Sequence, residues 1–343
     1  MAKWIDGEGP QNDIVISSRI RLARNLEEFP FPVALTPEKS KEVIRTVNDS
    51  ILESNTTLKD EFKLIALSEI SNSDKQVFIE KHLISPNLVE KSNKSAVMMN
   101  SDQSVSIMIN EEDHIRIQCL LPGFQLSQAW DLANKIDDII EENVKYAFDE
   151  NVGYLSSCPT NVGTGIRASV MVHLPALTMT GYMNRILQAV NQIGFTVRGL
   201  YGEGSESEGN IFQISNQVTL GRTEGEIIKT LAEVTKQIAN KENDARATLM
   251  VNNKVKLEDR ICRSYGILSN ARIMSSKEAL KLISDVRLGA DLGIIEDIDV
   301  KTINTLMVDI QAGILQKIKG KNLNAKERDI ERANLIRERL KDK

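Results

Sequence analysis

Between Asn151 and Gly202 the chain carries no aspartate, no glutamate and no lysine. At the chain's average acid frequency a window of that length would hold about seven carboxylates. Its only permanent charges are Arg167, Arg185 and Arg198, and Glu150 and Glu203 close it on either side. A buried sheet core is also poor in charge and accounts for part of the gap. It does not account for why every surviving charge is an arginine. Guanidinium groups retained where carboxylates are excluded suit a bound polyanion. Inside the window, Cys158-Pro159-Thr160-Asn161-Val162-Gly163-Thr164-Gly165 sets a single thiol beside a glycine-flexed turn, and Arg167 follows.

Strand patterns surround that segment. In Arg167 to Val172 the residues Ala168, Val170 and Val172 take one face, while Arg167 and Ser169 take the other. Phe195-Thr196-Val197-Arg198 sets Arg198 opposite Phe195 and Val197. Ser104 to Ile109, the turn Asn110-Glu111-Glu112-Asp113 and His114 to Cys119 read as a hairpin. Ile115, Ile117 and Cys119 give it a packed face; His114, Arg116 and Gln118 give it a polar one. Ser17-Ser18-Arg19-Ile20-Arg21 follows the apolar Ile14-Val15-Ile16 and alternates two more arginines along an extended segment. If these strands share one antiparallel sheet, Arg19, Arg21, Arg116, Arg167 and Arg198 converge on one surface. Five guanidinium groups repel one another, and a triphosphate carries about the charge needed to neutralise them.

Helices separate the strands. Thr36-Pro37-Glu38 combines a cap, a proline at the first helical position and an acid in the first turn. Leu126 to Val144 repeats apolar residues at helical spacing. The expected class is α/β (α+β), with a central, mainly antiparallel sheet flanked by helices over residues 12–244. An all-helical domain is expected over residues 245–343, where the pattern turns helical.

Other chemistries are excluded. Three cysteines far apart, without C-x-x-C, fit a reducing cytoplasm better than a disulfide scaffold. Unclustered histidines leave no metal-ligand pattern. Net charge −5 and 4% aromatics argue against nucleic acid, and no apolar run spans a bilayer. There is no P-loop. Gly163-x-Gly165-x-x-Ala168 is a poor dinucleotide fingerprint, because a strand pattern follows it.

Four segments in order carry a family resemblance: Ser17 to Arg21, Asn110 to Arg116, Cys158 to Arg167, and Arg198-Gly199-x-x-Gly202-Glu203. Together they resemble the motif set of the ATP:guanidino phosphotransferases, the creatine and arginine kinases and their bacterial relatives. The resemblance implies ATP with Mg²⁺ held by phosphate oxygens and water. It implies nucleotide contacts from Ser17, Ser18, Arg19, Ile20 and Arg21, from His82 and Arg116, from Arg167, Ala168, Ser169, Val170 and Met171, and from Arg198, Gly199, Leu200, Tyr201 and Gly202. Glu112 and Glu203 would flank the acceptor guanidinium, with Cys158 beside it. Glu203, between two glycines, suits a loop that closes over substrate. Tyr201 stands where the small-molecule kinases commonly carry another arginine.

In those kinases a helical domain that recognises the free substrate precedes the Ser-Ser-Arg-x-Arg motif. Here the motif begins at Ser17, so a site without that gate is expected to admit an arginine within a polypeptide. The full chain is similar to the bacterial protein-arginine kinases. Arg328-Asp329-Ile330-Glu331-Arg332-Ala333 resembles their phosphoarginine-binding motif, with Arg328, Asp329, Arg332 and Ala333 as the implied contacts. The resemblance further implies allosteric feedback by phosphoarginine, an assembly of at least dimers and an activator protein. It also implies a heat-shock repressor and a Clp ATPase/protease as partners in stress-response quality control. A phosphagen kinase acting on free arginine and a non-catalytic phosphoarginine- or nucleotide-binding adaptor are the alternatives.

Overall fold

The computed structural model describes residues 2–53, 61–199 and 207–341. Among the described residues ten strands run in chain order as β1 Val15–Arg24, β2 Phe62–Ala66, β3 Ala96–Asn100, β4 Val105–Ile109, β5 Ile115–Pro122, β6 Phe148–Asp149, β7 Gly153–Tyr154, β8 Ile166–His173, β9 Phe195–Gly199 and β10 Ile211–Asn216. Eight of them form one sheet in the order β2-β3-β4-β5-β1-β8-β10-β9, with every pairing antiparallel. β6 and β7 pair separately.

Helices of the sheet region are α1 Pro37–Leu52, α2 Asn72–Glu80, α3 Pro86–Glu90, α4 Leu126–Glu141, α5 Pro175–Met179 and α6 Met183–Gln192. The remainder are α7 Glu224–Asn252, α8 Lys254–Asn270, α9 Ser276–Asp291, α10 Val300–Asp309, α11 Ala312–Lys319 and α12 Ala325–Lys341. α1 starts as its sequence dictates: the Thr36 hydroxyl accepts from the Lys39 amide and Pro37 fills the first turn. α7 opens with a reciprocal capping box between Thr223 and Glu226. It runs unbroken through positions 244 and 245, so the expected domain boundary lies inside a helix.

The β-branched rows of the strands build the first core. Ile20, Leu22, Ile107, Ile115, Ile117, Ala168, Val170 and Phe195 pack against Val43 and Val47 of α1, Ala133 and Ile136 of α4, and Leu231 and Ile238 of α7. At about 25 cal/mol per Å² of apolar area, this layer supplies the main drive for the sheet to form.

The other face of the sheet differs from the simple polar face expected of the hairpin. Leu120 of β5, Met108 of β4, Met171 of β8 and Ile16 join a second core. There they meet Leu280 and Ile283 of α9, Leu306 of α10, Ile314 of α11 and Ile336 of α12. A bulge between Val15 and Ser17 gives Val15 to the first core and Ile16 to the second. Each central strand therefore runs, on this face, from an apolar residue under the C-terminal helices to an arginine beyond their edge. The apolar residues were present in the sequence. What they pack against comes from more than a hundred residues further along the chain.

Candidate active site

β5, β1 and β8 are adjacent, and their register brings the arginines together. Arg21 lies directly opposite Arg167, Arg19 opposite Ser169, and Arg116 opposite Ala23. β9 is separated from β8 by β10, so Gln213 and Ser215 stand between Arg198 and the rest. The result is one cleft of about 370 Å³ lined by Arg19, Arg21, Glu112, Arg116, Cys158, Thr160, Asn161, Arg167, Arg198, Gln213 and Ser215.

The cleft is held by few anchors. Arg19 donates from Nη2 to Gln213 Oε1 at 2.5 Å and from Nε to Ser169 Oγ at 3.3 Å. Arg116 Nη1 donates to Glu111 Oε2 at 2.7 Å, and the other oxygen of Glu111 accepts from Ser85. Burial alone would raise the Glu111 carboxyl. The adjacent Arg116, the Ser85 hydroxyl and the Glu112 amide outweigh it and hold the group below its usual value.

The cations pay for their proximity. Burial first, then Arg116 and Arg167, push Arg19 down from 12.5 to about 10. Burial and the charges of Arg19, Arg116 and Arg167 push Arg21 well below the arginine range, with Glu111 opposing. Arg167 is lowered by burial, Arg198 and Arg116, while Cys158 and Glu112 work the other way. Arg21 Nε is buried with no hydrogen-bond partner among the described residues. Two unit charges about 5 Å apart at an effective dielectric near 20 repel by about 3 kcal/mol, so the arrangement calls for an anion. The donor set, arginine forks around an orphaned N–H, fits a polyphosphate.

Alternation decides which residues of the motif segments reach the cleft. Arg19 and Arg21 do, whereas Ile20 points into the first core. Arg167 and Ser169 face the cleft side; Ala168 and Val170 lie in the first core and Met171 in the second. Ser17 is buried. Ser18 spends its hydroxyl on Gly123 O, at 2.8 Å, and on the Gln125 amide. Gly199 ends β9 opposite Phe212. His82 adopts a left-handed backbone, and its ring lies tilted against Trp4 with centroids 5.4 Å apart. Burial and the nearby Arg19 push it down to about 3, so it stays neutral. Leu200, Tyr201, Gly202 and Glu203 lie outside the described residues.

Cys158 is half-buried with Sγ 3.0 Å from Thr160 Oγ1. Its loop returns through Gly165, whose φ of +65° places a would-be Cβ 2.6 Å from Ala23 O and from Arg24 Nη1; only glycine fits there. Sequence reasoning missed Glu111, Thr160, Asn161, Gln213 and Ser215. The alternation of Phe212 and Ile214 with Gln213 and Ser215 was a usable signal for the last two.

The C-terminal motif sits apart. Arg332 is buried: Nε donates to Ile310 O at 2.9 Å, and Nη1 to Met274 O at 2.9 Å and Asp329 Oδ1 at 2.6 Å. Ala333 is in the second core. Arg328, half-buried, donates from Nη1 to Leu323 O at 2.9 Å. Among the described residues no cluster of three acids, histidines or cysteines is set to hold a metal ion, and no helix is long and apolar enough to cross a membrane.

Comparison with known proteins agrees with this geometry. Residues 42–245 match the model of the ATP:guanido phosphotransferase C-terminal catalytic domain. Residues 254–343 match that of the protein-arginine kinase McsB C-terminal domain. The protein-arginine kinase of Brevibacillus brevis is 55% identical over 99% of this chain and 95% of its own length; that of Bacillus subtilis is 52% identical over 99% and 93%. A lombricine kinase structure superposes with a TM-score of 0.60 at 24% identity over 72% of each chain, a likeness of fold. The duplicated taurocyamine kinase of Schistosoma mansoni reaches the same score at 25% identity over 72% of this chain and 36% of that one. With an arginine-lined cleft on an antiparallel sheet and a catalytic-domain model matched across more than half of its length, the chain belongs to the ATP:guanido phosphotransferase family.

Proposed function

We propose that this chain is a protein-arginine kinase, transferring the γ-phosphoryl group of ATP to arginine side chains of proteins. What supports the reading most is the cleft in which five arginines, of which Arg116 is paired with Glu111, meet the carboxylate of Glu112 and the thiol of Cys158 among the described residues. Arg19, Arg21, Arg116, Arg167 and Arg198 hold the phosphates and stabilise the charge spread over the transferring oxygens. Gln213 and Ser169 fix the fork of Arg19, and Glu111 fixes that of Arg116.

Guanidinium is protonated at physiological pH and has no free lone pair. Glu112 takes a proton from the attacking nitrogen as the N–P bond forms and the bond from phosphorus to the bridging oxygen breaks, releasing ADP. Glu203, assigned from its motif, grips the other side of the fork. Cys158 acts electrostatically beside the acceptor. Mg²⁺ would be held mainly by the nucleotide's phosphate oxygens rather than by a carboxylate cage of this chain, and would supply further charge neutralisation. His82 is assigned near the nucleotide from its motif context, and its buried ring lies beside Trp4 and feels the charge of Arg19.

The C-terminal helices form the regulatory part, continuing from the catalytic part within α7 near residue 245. Arg332 and Asp329 staple α12 in place, with Ala333 beneath them, and Arg328 keeps most of its fork for phosphoarginine. Modified proteins are passed to a Clp ATPase/protease, and a heat-shock repressor is inactivated. The enzyme works in the cytoplasm with an activator protein, as a homodimer or larger assembly. These partners are proposed from the family resemblance.

Incubation with ATP, Mg²⁺ and an unstructured arginine-rich protein, followed by acid-free mass spectrometry, tests the activity. Phosphoarginine on the protein is expected. Modification of serine, threonine or histidine instead, or ATP binding without transfer, would overturn it.

A further inference from the structure

Glu112 and Cys158 come from loops 46 positions apart in sequence, and the phosphoryl acceptor has to meet both. One buried side chain ties the loops together. Asp113 Oδ1 accepts from the Ser157 amide at 2.7 Å and from Asn25 Nδ2 at 2.7 Å. Glu112 precedes Asp113 and Cys158 follows Ser157, so a single hydrogen bond joins the immediate neighbours of both groups. Asn25 completes the tie, with Nδ2 donating to Leu155 O at 3.0 Å and Oδ1 accepting from the His114 amide at 2.9 Å. His114 takes the Leu26 amide on Nδ1 and reaches Pro30 O from Nε2; that pairing needs the neutral ring, which its burial favours. Asn25, Asp113 and His114 are each at most 2% exposed.

The far end of the Cys158 loop is clamped from the same strand end. Arg24 donates to Thr164 O at 3.0 Å, pairs with Asp137 at 2.7 Å and lies 3.5 Å over the Tyr154 ring. Adjacent residues Arg24 and Asn25 thus grip the two ends of one loop, and Asp113 links that loop to the other.

We propose that Asp113 is a positioning residue for the reaction read above: it sets the separation of Glu112 from Cys158 and so the alignment of the acceptor nitrogen. Both of its hydrogen bonds end on Oδ1. The acceptor geometry, not the charge, is what the site requires, and an amide oxygen can supply it.

Asp113→Ala and Asp113→Asn separate these ideas. For Asp113→Ala, kcat is expected to fall on the order of 10²-fold, as for a misplacement of about 1 Å, while KM for the protein substrate and the Kd for ATP move less than about threefold. Asp113→Asn is expected to recover most of the rate. The alkylation rate of Cys158 relative to the exposed Cys262, read by mass spectrometry, shifts several-fold in Asp113→Ala and not in Asp113→Asn. An unchanged kcat in Asp113→Ala, a parallel loss of ATP binding, or failure of Asp113→Asn to rescue overturns the proposal. Loss of folding in both variants assigns the residue to the scaffold and overturns it too. If the wild-type chain transfers nothing, the functional reading fails, and the alkylation ratio still decides whether Asp113 couples the loops.

Discussion

Replacing Arg19 by methionine should make the nucleotide-free protein more stable and the nucleotide-bound protein less so. A guanidinium lowered from 12.5 to about 10 is disfavoured in its charged form by about 3 kcal/mol. Because the folded value is depressed, that cost is fully present at neutral pH and is relieved only as pH rises through the folded value toward 12.5. Methionine keeps much of the aliphatic volume but forfeits the bonds to Gln213 and Ser169, at about 1 kcal/mol each. The net expectation is a stabilisation of about 1 kcal/mol without nucleotide, a rise of a degree or more in Tm. ATP at about a hundred times its Kd should stabilise the wild type by about 2.7 kcal/mol. Losing one charge-assisted phosphate contact costs about 1.5–3 kcal/mol and should erase most of that shift in the variant. Thermal unfolding of both proteins, with and without ATP or inorganic triphosphate, measures all four states. A variant that melts several degrees below wild type without nucleotide, or that keeps the full ATP shift, would refute the idea that these arginines are held in mutual repulsion for an anion.

Glu112→Gln should lower transfer by about 10²–10⁴-fold with ATP binding intact; loss of nucleotide affinity instead would show the carboxylate to be misassigned. Burial, only partly offset by Arg287 and Arg246, pushes Asp291 up to about 6. A raised acid contributes stability at low pH that is lost as pH climbs through the folded value. Between pH 4 and 7 the wild type should therefore lose about 2 kcal/mol relative to Asp291→Asn in urea titrations, and parallel pH profiles would contradict this. Arg332→Ala should destabilise the fold by about 4 kcal/mol, since it strands Asp329 and two buried carbonyl oxygens. Arg328→Ala should instead weaken phosphoarginine binding about tenfold in calorimetry, and an unchanged affinity would reject that contact.

The sequence made the strands legible because burial on one face imposes a period of two. That period correctly sorted Ile20 from Arg19 and Val170 from Arg167. It also told which arginines share a surface, once the strands were assumed to be neighbours. It did not give strand order, which depends on long-range pairing. Gln213 and Ser215 therefore entered the cleft unannounced when β10 inserted between β8 and β9. Glu111 was hidden for another reason. Two consecutive acids in a turn look alike in sequence, and only the fold turns one onto Arg116 and leaves the other in the cleft. The motif likewise singled out Arg328 and Arg332 as contacts but could not show that carbonyl oxygens of other elements occupy Arg332.

The most direct test of the central claim is the ratio of kcat/KM for an unstructured arginine-bearing protein to that for free arginine, measured with ATP and Mg²⁺. Efficient transfer to the protein, near-inert free arginine, and loss of protein transfer in Glu112→Gln are expected. Comparable or greater efficiency on free arginine, or undiminished transfer in Glu112→Gln, would contradict it.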